Sequence, residues 1–88
     1  MNPKFPTVEE KNIVLLRADA LTGIVLDDQF KRVLSSDQNV YSIFNHYEDA
    51  ISYIESVIKY KPNIEAVVYN SREEVLYYYN PFEKTRKE

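Results

Sequence analysis

The chain has 88 residues, no cysteine and a formal net charge of −3. A chain of that size makes one domain, the lack of cysteine excludes a disulfide framework or a thiolate metal site and fits a reducing compartment, and the mild acidity weighs against sequence-independent binding of nucleic acid. No apolar run approaches the roughly 20 residues of a membrane span, and the start of the chain lacks the apolar core of a signal peptide, so no membrane association and a cytoplasmic location are expected.

Residues 1–11, polar and carrying Pro3 and Pro6, read as a flexible arm. Residues 12–79 read as the folded core of a single domain spanning 1–88, and 82–88 as a charged tail that frays. Ile13 to Ala18 (IVLLRA) is the first expected strand, β-branched at its start and bounded by polar residues. The only glycine, Gly23, marks a turn where a positive φ is wanted. Ile24 to Asp27 then returns as a second strand. A single helix over 19–34 competes with this hairpin, but Gly23 and the branched Thr22, Ile24 and Val25 make it a poor helix. Gln29 to Ser36 fits a short helix capped by Asp27 or Asp28, and fits one face of a strand equally well. Residues 35–39 are loop by composition, and Val40 to Phe44 (VYSIF) is a strand.

Asn45 to Tyr60 carries the clearest pattern. Tyr47, Ile51, Ile54 and Ile58, widened by Ala50 and Val57, form an apolar stripe at helical spacing, with Glu48, Asp49, Ser52, Glu55, Ser56 and Lys59 opposite. Asn45 suits the N-cap, and Glu48 stands three residues later as a capping-box acid would. Pro62 ends the helix, because the residue before a proline is pushed out of the α region. A helix of about four turns is marginal alone in water, so it needs a sheet to lie on.

Two β-rich runs, Ile64 to Tyr69 and Glu74 to Tyr79, flank the polar Asn70-Ser71-Arg72-Glu73 and predict a C-terminal hairpin over 64–79. With 70–73 as the loop, Val68 opposes Val75, Val67 opposes Leu76, Ala66 opposes Tyr77, Glu65 opposes Tyr78 and Ile64 opposes Tyr79. Ile64, Ala66, Val68, Val75, Tyr77 and Tyr79 then share one uncharged face for the helix. The fold class expected is α+β: a four- to five-stranded, mainly antiparallel sheet with one amphipathic helix over about 45–60 on one face.

Chemistry is sparse. His46, the only histidine, has no identifiable orienting partner, so an ordinary exposed histidine outweighs a catalytic or metal-binding one. Asp19, Asp27 and Asp28 lack the alternating spacing of a calcium loop and read as turn and cap residues. Glu9-Glu10 and Glu73-Glu74 read as solvated charges. The hydroxyl residues have no nucleophile-elbow context, and one glycine cannot build a phosphate-cradling loop. No catalytic, cofactor-binding or metal residue is therefore expected. Tyr77, Tyr78 and Tyr79 could stack nucleobases, with Lys84, Arg86 and Lys87 near, but successive strand residues alternate faces and do not form one platform.

The remaining signal is an apolar second face of the sheet: Val67, Tyr69, Leu76 and Tyr78, joined by Ile13 and Leu15 if the first strand lies alongside. Antiparallel sheets with one wet face usually alternate cleanly to polar. Segment 27–36 folding over that face as a second helix, self-pairing in a homodimer, and docking of another protein each account for it. The function expected is a non-enzymatic protein-interaction module that self-associates through this face. The alternatives are a single-stranded nucleic-acid-binding domain and a small acidic inhibitor or immunity-type protein.

Overall fold

In the computed structural model, which describes residues 4–83, the run IVLLRAD becomes the central strand β1 (Ile13–Asp19). The chain continues through β2 (Val25–Leu26), β3 (Tyr41–Phe44), α1 (Tyr47–Tyr60), β4 (Ile64–Tyr69) and β5 (Val75–Tyr79). On one side of β1 lies β4, with β5 beyond it; on the other lie β2 and β3, end to end against successive stretches of β1. Every pairing is antiparallel. The expected α+β sheet with one helix on one face, and the hairpin β4–β5, are both present. No helix among the described residues is long and apolar enough to cross a membrane. The charged tail expected over 82–88 lies outside the described residues from 84 onward, as do residues 1–3 of the arm.

The β1–β2 hairpin turns at Gly23, whose φ of +78° is the left-handed conformation that favours glycine. Asp19 organises this turn. Its carbonyl accepts from the Gly23 amide at 2.6 Å, and its carboxylate accepts from the Leu21 amide at 2.8 Å.

The helix is capped differently from the sequence expectation. The N-cap is His46, extended and without a side-chain cap bond, while Asn45 Oδ1 accepts from Asn12 Nδ2 at 3.3 Å and so ties the helix entry to the start of β1. Ala50 and Ile54 are buried against Ile13, Leu15, Ala66 and Val68, with Phe44, Ile51, Tyr53, Ile58, Tyr77 and Tyr79 packed round them. Tyr47, expected in the stripe, is exposed, and Tyr53, left out of it, is half-buried. The helix is thus rotated slightly toward Tyr53.

Arg17 lies on the helix-facing side of β1 and is only 1% exposed. Its Nη2 donates to the Val40 carbonyl at 3.0 Å and to Ser42 Oγ at 2.6 Å, Nη1 reaches Tyr53 Oη at 3.5 Å, and the guanidinium lies 5.9 Å from the centre of the Tyr53 ring. Tyr53 turns inward to cover this cation. Burial pulls the guanidinium's pKa down from its ordinary value, the opposing fields of Tyr53, Asp28 and Asp27 only partly offsetting it, and Nε has no partner.

Two hairpin expectations need correction. The register is shifted by two residues: Val68 opposes Tyr77, Val67 opposes Tyr78, and Ala66 opposes Tyr79. A two-residue shift preserves which face each side chain takes, so Ile64, Ala66, Val68, Tyr77 and Tyr79 keep the helix side. Val75 does not, because a bulge pairs it with Tyr69 and leaves Leu76 as the extra residue. The five-residue connection forms because Asn70 Oδ1 accepts from the Arg72 and Glu74 amides, both at 2.9 Å, and Glu73 takes a left-handed φ of 64°. Segment 27–36 is neither helix nor regular strand; a single bridge links Arg32 to Leu26.

Candidate interaction face

The face of the sheet away from the helix is built by alternation. Because Ile13 and Leu15 belong to the helix-side core, Val14, Leu16 and Ala18 point outward. This overturns the placement of Ile13 and Leu15 at the outer face. Apart from Arg17, both faces of IVLLRA are apolar, so alternation within β1 did not choose between them; the ladders of Leu15 with Val68 and Arg17 with Ala66 do. Of the other residues expected there, Val67, Tyr69 and Tyr78 lie on this face, and so does Leu76, which the bulge sets beside Val75 opposite Tyr69. Tyr41 and Ile43 come from β3, where Ile43 pairs with Val14. Exposure is highest at the rim, with Val75 at 60%, Ile43 at 51% and Leu76 at 36%.

The Glu65 carboxylate on this surface is engaged. Tyr78 Oη donates to Glu65 Oε2 at 2.6 Å and accepts from Asn80 Nδ2 at 3.2 Å. The bond to Glu65 is the main reason the Tyr78 phenol is held above its ordinary pKa. Tyr77 and Tyr79 pack with the helix instead, so the three consecutive tyrosines do not form one stacking surface.

From the arm, Phe5 reaches this face and seats between Tyr41 and Tyr69. Its ring centre is 5.5 Å from each, with interplanar angles of 67° and 83°. Edge-to-face pairs of this kind are favourable beyond the area they bury. Val14, which has no exposed surface, lies on this face next to Tyr69 and Ile43. Burial raises the pKa of both tyrosines, the charge of Glu73 adding to it. Beside the arm runs an open groove of about 830 Å³ between Lys4 and Pro6 on one wall and Val33 to Ser36, Tyr41 and Ile43 on the other.

Segment 27–36 does not cover the outer face as a second helix. Phe30, with a left-handed φ of 64°, turns to the helix side, where it closes a cavity of about 10 Å³ with Ile54, Val57 and Ile58 and lies 5.1 Å beneath the Lys61 ammonium. Asp27 holds the loop in that shape. Its carboxylate accepts from the Gln29 and Lys31 amides, both at 2.9 Å, and from Gln38 Nε2 at 2.8 Å. The Gln38 bond, then the Lys31 amide, keep the Asp27 carboxyl below the ordinary carboxylate range. Among the described residues, no group of three or more histidine, aspartate or glutamate side chains is placed to hold a metal ion.

The chain matches no protein-family model, no curated protein and no solved structure. The reading of what it does therefore rests on the outer face. The sequence pointed to four of its side chains. It missed Val14, Leu16, Tyr41, Ile43 and the arm's Phe5, although the consecutive apolar residues Ile13 to Leu16 were a signal that both faces of β1 are covered or paired.

Proposed function

We propose that the protein is a non-enzymatic interaction module that associates with a second copy of itself through the outer sheet face. The observation that carries this reading is a broad apolar surface, from Ile43 across Leu16 and Val67 to Val75 and Leu76, over which no helix lies among the described residues. A stable interface uses about 800 Å² per partner. The domain is a slab of 32 × 32 × 19 Å, so its wide face has that area. A two-fold interface sets the same patch against itself, and the patch suits this: the Glu65 carboxylate on it already accepts from Tyr78, and apolar side chains are what two copies would bring together.

Leu76→Glu and Ile43→Glu test the reading. Both sites are exposed in the single chain, so each variant should keep the wild-type circular dichroism and melting curve. In the dimer each places a charge where it must be desolvated, which is costly. Sedimentation should show a wild-type dimer and two folded monomers. A wild type still monomeric at about 100 times a micromolar dissociation constant sinks the reading.

A further inference from the structure

We infer that the cleft between Tyr41 and Tyr69 is a docking site for an aromatic side chain on an extended segment, and that in the self-associated protein its occupant is Phe5 of the second copy, the two arms being exchanged. This deepens the self-association reading and rests on it.

The occupant is identified by what already fits. Phe5 meets both tyrosine rings edge-on at 5.5 Å, on the face that carries the fully buried Val14. The way the arm is attached makes exchange feasible. Among the described residues, no backbone hydrogen bond joins 4–8 to the sheet. The bonds at the base of the arm close on themselves: the Asn12 amide donates to the Glu9 carbonyl at 3.0 Å, and the Glu9 amide donates to Asn12 Oδ1 at 2.9 Å. Among the described residues, 4–8 are therefore held by side-chain contacts that an identical arm from another chain reproduces without loss. The 9–12 turn is a compact pivot between arm and strand, and exchange of an identical element between copies is a low-cost route to a dimer.

The arm's sequence suits the role. Pro3 and Pro6 bracket Phe5. A proline pushes the preceding residue toward extended backbone, so Pro6 restricts Phe5 and leaves it less freedom to lose on docking. The cleft is also continuous with the proposed interface, since Tyr41 and Tyr69 are neighbours of Ile43 and Val75 on the same face.

The test uses a synthetic peptide of residues 1–11 and the full-length chain. Added in excess to wild-type dimer, the peptide should convert it to monomer in sedimentation, and a Phe5→Ala peptide should not. A labelled wild-type peptide should bind the full-length Phe5→Ala chain saturably. The Phe5→Ala peptide should bind at least about tenfold more weakly, the least that burying a phenylalanine ring contributes. The Phe5→Ala chain itself should sediment as a folded monomer. If the Phe5→Ala chain remains a dimer while Leu76→Glu is a monomer, exchange is overturned and the sheet-face interface stands. If the wild type is a monomer, both fail. If the peptide binds neither chain, the cleft is not a docking site.

Discussion

Arg17 offers the sharpest test of how this core is balanced. The guanidinium is buried on the helix side of β1 with no carboxylate in contact among the described residues, holding the Val40 carbonyl and Ser42 Oγ. Hydrogen bonds from a charged group contribute about 1.5–3 kcal/mol each, and the Tyr53 ring adds about 1–2 kcal/mol. Against these stand a desolvation cost of several kcal/mol for the ion and about 1–3 kcal/mol for the unpartnered Nε. The opposing contributions nearly cancel. Arg17→Met should therefore lie within about 2 kcal/mol of wild type, since it gives up the bonds and the desolvation together. Arg17→Lys should be the worse of the two by about 2 kcal/mol or more, because it keeps a buried charge, more strongly hydrated, and loses the planar fork. Burial would depress the pKa of that lysine, so the unfolded state would bind more protons and the variant's stability should rise with pH toward the unfolded value of about 10.4. Urea denaturation followed by circular dichroism at several pH values measures all of this. A lysine variant as stable as the methionine variant, with no such pH slope, would refute the reasoning.

Ile54, 4% exposed between Leu15 and Ala66, should lose about 2–5 kcal/mol on truncation to alanine, which for a domain of this size lowers the melting temperature by roughly 4–8 °C per kcal/mol. Asp27 has a depressed folded-state pKa, so its contribution is present above the unfolded value of about 3.9 and is lost as pH falls through the folded one; the urea midpoint should stay level down to about pH 5 and then fall, less steeply in Asp27→Asn. Tyr41 and Tyr69 have raised folded-state pKa values, so stability is intact below about pH 10 and falls as pH rises from there through the folded values. Ultraviolet titration should show both phenols ionising earlier in Phe5→Ala, where the covering ring is gone; an unchanged titration curve would mean that Phe5 does not shield them.

The elements legible in the sequence are those set by local chemistry. Gly23 dictated its turn, the Ala50–Ile54–Ile58 spacing its helix face, and Asn70 with its polar neighbours the hairpin loop. The residues that escaped are governed by partners far along the chain. Whether Leu15 or Leu16 faces the helix depends on the ladder to Val68 and Val67, which the consecutive apolar residues Ile13 to Leu16 conceal. The hairpin register slipped by two residues because the connection runs one residue longer than 70–73 and a bulge at Leu76, invisible in a β-rich run, adds one more; beyond the bulge the faces survived because two is the period of a strand. Periodicity did not decide between helix and strand for segment 27–36 because side-chain bonds from Asp27 and Gln38, and not a repeating backbone ladder, hold it. Of the outer face, the part carried by the hairpin was legible and the part carried by β1, β3 and the arm was not.

The place of β1 at the middle of the sheet has a consequence for how the chain assembles. Its main partner, β4, lies near the other end of the folded core, as in the pairing of Val14 with Tyr69. Contacts so distant in sequence must overcome a large loop-closure entropy before they return anything. The helix and the β4–β5 hairpin close locally and can form first. During synthesis β1 emerges well before β4 exists, and its edge toward β4 waits open on an apolar strand, the condition in which chains aggregate. Arg17 is the single charge interrupting that run. A residue nearly neutral to the finished fold thus guards the unfinished one, as charged gatekeepers do in strands of this kind. Arg17→Met should refold from urea with a lower soluble yield than wild type at high protein concentration, even where its equilibrium stability is unchanged.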